Sequence, residues 1–170
     1  REKQHDSVEK QPLHQQRDEN IISCDIIIAG GSTAALAAAF SAADEGPDLA
    51  VCLIEPTTWA GGQLTSSLVT AIDFGKKNRK LSCLPKLFAN YLMEEGYPQV
   101  NPGKCWVSTF CYEAQEIMQK FIEPQIMKRK NLLVFYETVV SSVDVSGNKI
   151  MKVNAIARKP VSDMHLKMQY

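Results

Sequence analysis

Read from its first residue, the chain is polar for twenty positions and then abruptly apolar. Residues 1–20 carry Val8 and Leu13 as their only large aliphatic side chains among Gln, Lys, Arg, Asp and Glu. That is too little apolar surface to offset the entropy of ordering, so a mobile tail is expected there. From Asn20 the pattern changes. Ile21, Ile22, Ile26, Ile27 and Ile28 form a β-branched run bounded by Gly30-Gly31, which predicts a strand buried on both faces of a parallel sheet. Ser32 to Ala43 is mostly alanine, with Leu36 and Phe40 one turn apart, and gives way to Asp44-Glu45-Gly46-Pro47. This predicts a closely packing helix that stops where Gly and Pro stop it. Leu49 to Ile54 is a second apolar run, closed by Glu55 and Pro56, and the order strand, glycine turn, helix, strand is a βαβ unit.

Thr57 to Gly75 reads as a loop containing Gly61-Gly62, followed by a helix around Leu84 to Met93. Tyr112 to Lys130 spaces Ile117, Met118, Phe121, Ile122 and Ile126 along one helical face, with Pro124 expected to bend it. Lys128-Arg129-Lys130 suits a helix C-terminus. Leu132 to Tyr136, Val139 to Val145 and Lys149 to Ala157 read as strands, the last two joined through Ser146-Gly147-Asn148 as a hairpin. The expected organisation is a tail over 1–20, one α/β domain over 21–158 and a ragged end over 159–170.

Composition narrows the function classes. Nineteen Lys+Arg balance nineteen Asp+Glu, which gives no electrostatic reason to sit on a nucleic acid or an anionic membrane surface. The longest apolar run, Ala34 to Phe40, is far short of the ~20 residues a membrane-spanning helix needs. None of the five cysteines (Cys24, Cys52, Cys83, Cys105, Cys111) forms a C-x-x-C unit, so a zinc or other metal site is not expected. Cys24 and Cys52 lie in apolar runs, where a thiol is expected to behave as a small hydrophobe.

The turn after strand one reads Gly30-Gly31-Ser32-Thr33-Ala34-Ala35, in the slot where dinucleotide folds place G-x-G-x-x-G/A. Gly30 supplies the tight turn, Ala35 is small enough for helix-to-strand packing, and Ser32 stands where a second glycine lets a pyrophosphate approach. The helix expected to start here would aim its free N–H groups and dipole at the turn, which is the physical reason an anion would bind. An acidic residue at the end of strand two accepts bonds from ribose hydroxyls in such folds, and Glu55 is in that place. A carboxylate there repels a 2′-phosphate, which disfavours NADP.

The segment Glu55-Pro56-Thr57-Thr58-Trp59-Ala60-Gly61-Gly62-Gln63-Leu64-Thr65 resembles the stretch after strand two in FAD-dependent oxidoreductases of the glutathione-reductase-like superfamily. The sequence looks most like their xanthan-lyase-like branch, with its GG-[ST]-x-A-[GA] turn, IEP-T strand end and GGQLT loop. Ala35 is a mild departure from the last glycine of the wider motif. Asn101 to Ser108 also resembles an NPG-x-x-WVS segment of bacterial members, and the resemblance runs from about Asp25 to Ala157.

The resemblance implies a Rossmann-like FAD/NAD(P)-binding domain, a parallel sheet with a β-hairpin layer, and FAD as cofactor. It implies Gly30, Gly31, Ser32, Thr33, Ala34 and Ala35 at the pyrophosphate, Glu55 and Pro56 at the ribose, and Gly61, Gly62, Gln63 and Leu64 beside the ring or ribityl chain. Val140, opening Val140-Ser141-Ser142-Val143, would contact adenine through its backbone. The flavin would pass hydride or electrons to or from a small-molecule substrate that the sequence does not name. Two other readings stand beside this one, an NAD-dependent dehydrogenase domain and a non-catalytic fragment that keeps the fold. No acid, base or nucleophile stands out, since His5, His14 and His165 fall in the tail and the ragged end. Trp59 and Trp106 are expected in core or loop packing, and Lys76, Lys77, Arg79 and Lys80 in a solvated loop. Family members return later to the FAD domain with a Gly-Asp-type motif and add a substrate domain. The expectation is therefore a chain that needs the remainder of its parent for turnover.

Overall fold

Parallel pairing of three short strands carries the fold. The computed structural model describes residues 21–69, 71–72, 91, 106 and 110–158. Strand β1 (Ile26–Ala29) leads through the glycine turn into helix α1 (Thr33–Glu45) and back to β2 (Val51–Ile54). A single turn of tighter helix, Gly62–Leu64, comes next, and then the paired two-residue strands β3 (Ala71–Ile72) and β4 (Phe110–Cys111). Helices α2 (Ala114–Ile117) and α3 (Glu123–Met127) flank a π-helical segment, Met118–Ile122. The chain then forms β5 (Leu132–Phe135), β6 (Thr138–Ser146) and β7 (Lys149–Ala157).

The sheet order is β1-β2-β5, all parallel, with Ile26, Val51 and Leu132 in one row and Ala29, Ile54 and Phe135 in the last. Alternation along each strand sends Ile26, Ile28, Val51, Leu53, Leu132 and Val134 to the face that packs with Leu36, Ala39, Phe40 and Ala43 of α1. The second face carries Ile27, Cys52 and Leu133. Central β2 is buried along its whole length, whereas Ile27 of β1 is 40% exposed and Leu133 of β5 is 42% exposed. Burial on both faces, expected of strand one, therefore belongs to β2. The reason is position: β1 lies at the edge of this three-stranded sheet.

Strand β1 also starts later than its apolar run. The Asp25 carboxylate accepts the Ala50 N–H at 2.8 Å, and the Asp25 and Ile26 amides both reach the Ala50 carbonyl. The ladder begins there, so Ile21 and Ile22 have no pairing partner in this sheet and stay exposed. Cys24 and Cys52 are not isolated small hydrophobes. They form a disulfide with Cα atoms 6.0 Å apart, tying the approach to β1 onto the centre of β2. Cys111 is also disulfide-bonded.

The helical face expected around residues 117–126 is present, with Ile117, Met118, Phe121 and Ile122 buried and Ile126 half-buried. Tyr91 packs on Phe121 with ring centroids 4.8 Å apart. Pro124 sits just beyond a change of helix type, a different disturbance from the bend expected. It has no N–H to donate and its ring crowds the carbonyl four residues back, and the π-helical segment ends two residues before it.

At the far end of α1, Arg129 forks onto both Asp44 oxygens at 2.8 and 2.6 Å, donates to the Gln125 carbonyl and lies 4.4 Å over the Phe40 ring. Asn131 Nδ2 donates to the carbonyls of Ala43, Gly46 and Leu49, which satisfies acceptors left open where α1 ends. The hairpin β6–β7 turns at Gly147, whose φ of +58° suits the first position of a two-residue turn. Its cross-strand pairs alternate between apolar, as in Val143–Val153 and Val145–Ile150, and polar, as in Ser142–Asn154 and Asp144–Lys152. Its base is fixed to the end of β2, because Thr138 N–H donates to the Glu55 carbonyl and Glu137 N–H to that of Thr57.

The helix expected over 84–93 lies outside the described residues apart from Tyr91, which is helical and buried. The 1–20 tail, the Lys76–Lys80 cluster, the 159–170 end and all three histidines lie outside them too. So does the 101–108 segment apart from Trp106. That residue is 93% exposed, where core or loop packing was expected, whereas Trp59 does pack against the core.

Candidate cofactor site

The sequence Gly30 to Ala35 becomes the turn that its glycines require. Gly30 has φ +99°, a region an L side chain seldom adopts, and open space where a Cβ would stand. Ser32 is the N-cap of α1: its Oγ accepts the Ala35 N–H at 3.2 Å and its carbonyl accepts that of Leu36. The amides of Thr33 and Ala34 are left without helical partners at the positive end of a thirteen-residue helix. Ser32 and Ala34 are exposed, and Thr33 and Ala35 are half-buried.

Glu55 closes one side of this turn. It is 4% exposed, and a Cβ added to Gly31 would stand 1.8 Å from its Oε2. A buried carboxylate needs donors, and Glu55 has two on Oε1, the N–H and the hydroxyl of Thr57, each at 2.6 Å. Oε2 is the oxygen turned to the glycine turn. Pro56, next in the chain, is half-buried, and its carbonyl accepts from the Arg158 guanidinium.

The Gly61-Gly62 loop lies directly against the first turn. Gly61 N–H donates to the Gly31 carbonyl at 2.6 Å, and the Thr33 hydroxyl donates to the Gly61 carbonyl at 2.9 Å. Gly61 and Gly62 have φ of +118° and +55°, and a Cβ on Gly62 would stand 3.0 Å from Ser32 Cα. The two glycine pairs thus meet backbone to backbone, and a side chain on Gly31, Gly61 or Gly62 would collide with a neighbour. The buried Thr65 hydroxyl holds the same loop through the Ala60 carbonyl at 2.6 Å. Gln63 is exposed, while Leu64 is buried in the core cluster. Val140 is half-buried on β6, two residues beyond the Thr138 bond to Glu55, and pairs with Ala155.

The fold therefore gathers Gly30 to Ala35, Glu55, Pro56 and Gly61 to Leu64 around one end of the sheet, with Val140 on the adjoining hairpin. Two residues have roles that sequence reasoning missed. Thr33 stitches the glycine turns together, and Thr57 holds Glu55; the available signal for the second was a hydroxyl two residues after a strand-end carboxylate, the spacing of a local side-chain turn. A cleft of about 520 Å³ lined by Ala43, Asp44, Pro47, Lys128, Arg129, Lys130 and Asn131 lies at the opposite end of α1. Its Arg129 is committed to Asp44 and Gln125. Among the described residues, no helix is long and apolar enough to cross a membrane, and no group of three or more His, Cys, Asp or Glu could hold a metal ion.

A helix start with free amides, open space over Gly30 and a buried acid at the end of β2 are compatible with a dinucleotide whose pyrophosphate and ribose lie on adjacent loops. No curated protein gives a significant match to the chain. A family model described as FAD dependent oxidoreductase matches residues 25–165, a stretch that contains the turn, the acid and the hairpin. The chain belongs to the FAD-dependent oxidoreductases, a family whose cofactor is FAD.

Proposed function

We propose that residues 25–157 are the FAD-holding part of an oxidoreductase of the xanthan-lyase-like branch, acting on a small-molecule substrate. The observation that carries this reading is the contact of Glu55 with Gly31 across the turn that opens α1. It sets an acceptor for ribose hydroxyls beside donors for a pyrophosphate. When bound, the flavin supplies the hydride or electron transfer.

The chain's own residues bind and orient. The free amides of Thr33 and Ala34, with the Ser32 hydroxyl, face the negative charge of the pyrophosphate. Glu55 accepts from the ribose and disfavours an added 2′-phosphate by repulsion. Gly61 and Gly62 let a second loop approach without side chains in the way. Gln63, exposed on that loop, is the side chain free to reach the ribityl chain or ring, since Leu64 is committed to the core. Val140 offers backbone groups toward adenine from the hairpin.

The test is the absorption spectrum of the purified protein, with the released cofactor identified. Flavin bands and FAD in the supernatant are expected. Colourless protein that binds NADH would overturn the reading. Glu55→Gln, which keeps shape and removes charge, should weaken FAD binding by roughly 1–3 kcal/mol, read by titration.

A further inference from the structure

We propose that Thr57 is a positioning residue for the Glu55 carboxylate, an assignment that rests on Glu55 being the ribose anchor. Glu55 is buried at the end of β2, and a carboxylate there can turn about its side-chain torsions unless something fixes it. Thr57 supplies two bonds to a single oxygen: its N–H and its hydroxyl both reach Oε1 at 2.6 Å. Two short bonds to an ionised acceptor are charge-assisted, and both lie on the same side of the carboxylate. Oε2 is thereby left facing Gly31, at the position where a Cβ on that glycine would collide with it.

The anchor is itself anchored. The Thr57 hydroxyl lies 2.8 Å from the Trp59 carbonyl and accepts the Trp59 N–H at 3.3 Å. It has one proton, and the shorter, charge-assisted bond to Glu55 takes it. The Thr57 carbonyl accepts the Glu137 N–H at 3.0 Å from the base of the hairpin. Thr57 is therefore held by β6 and by the loop before the carboxylate meets any ligand. The division of labour is complete: Oε1 is saturated by the protein and Oε2 is the oxygen offered to vicinal ribose hydroxyls. A side chain without the hydroxyl keeps the N–H bond but lets the carboxylate turn.

The experiment measures dissociation constants for FAD and for FMN, which has no adenosine ribose. The proteins are the parent chain, Thr57→Val, Thr57→Ala, Thr57→Ser, Glu55→Gln and the double variant Thr57→Val/Glu55→Gln. We expect Thr57→Val and Thr57→Ala to weaken FAD about tenfold, Thr57→Ser to restore it, and FMN binding to stay unchanged in all of them. In the Glu55→Gln background the Thr57→Val loss should vanish, because the group it orients is gone. Should Thr57→Val fail to fold, Thr57→Ala and Thr57→Ser carry the comparison. Unchanged FAD affinity in Thr57→Val and Thr57→Ala, alongside weakening by Glu55→Gln, overturns the role of Thr57 and leaves Glu55 at the ribose. A full additional loss in the double variant, or equal losses for FMN, likewise overturns it. No effect of Glu55→Gln removes the ribose reading itself, and this proposal with it.

Discussion

The carboxylate of Glu55 occupies the space that a side chain on Gly31 would need, with Oε2 1.8 Å from the position of an ideal Cβ. Two residues 24 apart in sequence thereby share one volume, and a side chain on Gly31 can be added only by moving Glu55.

Gly31→Ala should therefore displace Glu55 although it adds only a methyl group. The side chain must turn away from the glycine turn or the turn must open, and either removes the acid from the ribose position. FAD affinity is expected to fall at least about tenfold, the effect of losing one hydrogen bond to a charged group. Titration of the variant checks it, and unchanged affinity would show that Glu55 acts from another orientation.

Gly62→Val tests the second close approach. A Cβ there would meet Ser32 Cα at 3.0 Å from a backbone with φ +55°, so a β-branched residue both strains the loop and pushes it off the N-cap. The expected result is protein without flavin. Full cofactor occupancy in this variant would make the loop a plain connector.

The opposite end of α1 provides a control. Asn131→Ala removes the donor shared by three carbonyls and should cost about 1–3 kcal/mol of stability. The thirteen residues of α1 span about 20 Å, so FAD affinity should not change. Urea unfolding and flavin titration on the same variant separate the two effects.

The Cys24–Cys52 bond closes a separation of 28 residues, and constraint of the unfolded chain by such a loop is worth about 3–4 kcal/mol. The double variant Cys24→Ala/Cys52→Ala, which leaves the Cys111 disulfide in place, should be less stable by that amount in urea unfolding. Identical midpoints for the parent and the double variant would count against a structural role for the crosslink.

Alkaline pH should act through Tyr112. It is buried, its hydroxyl donates to the Val69 carbonyl at 3.3 Å, and burial pushes its pKa from 10.0 to about 12. The folded chain holds the phenol proton more tightly than the unfolded chain. Its contribution is thus complete below pH 10 and is lost as pH rises from 10 to about 12. Burial raises the pKa of Tyr136 as well. Melting temperature measured across this window should fall less steeply in Tyr112→Phe than in the parent.

Much of this was legible in the sequence, for reasons that differ by element. The β1–α1–β2 unit announces itself because an apolar run, paired glycines and an alanine-rich segment each have one local solution. Glu55 is marked by its place after β2, and the hairpin by Gly147. Other features depend on partners distant in the chain. Ile21 and Ile22 have strand chemistry, yet they stay outside the ladder because pairing starts at Ile26 and Val51. The Cys24–Cys52 pairing depends on which strands become neighbours, which spacing does not encode. Pro124 foretold a disturbance, but π-helical winding rather than a bend depends on how Ile117, Phe121 and Ile122 are packed. The role of Thr57 was hidden by its ordinariness, since a loop threonine attracts notice only once the carboxylate beside it is known to be buried.

The level ends of β1, β2 and β5 have a consequence for insertions and deletions. Ala29, Ile54 and Phe135 form one row, and the Gly30 and Glu55 amides continue the ladder by donating to the carbonyls of Ile54 and Phe135. One residue removed from β2 would retract Glu55 by about 3.3 Å and exchange the faces of Cys52 and Leu53. One residue added to or removed from the loop between Gly46 and Ala50 would leave the row intact. Length variation in this unit therefore costs the Asn131 bonds at the far end of α1, and is ruinous within the four residues of the central strand.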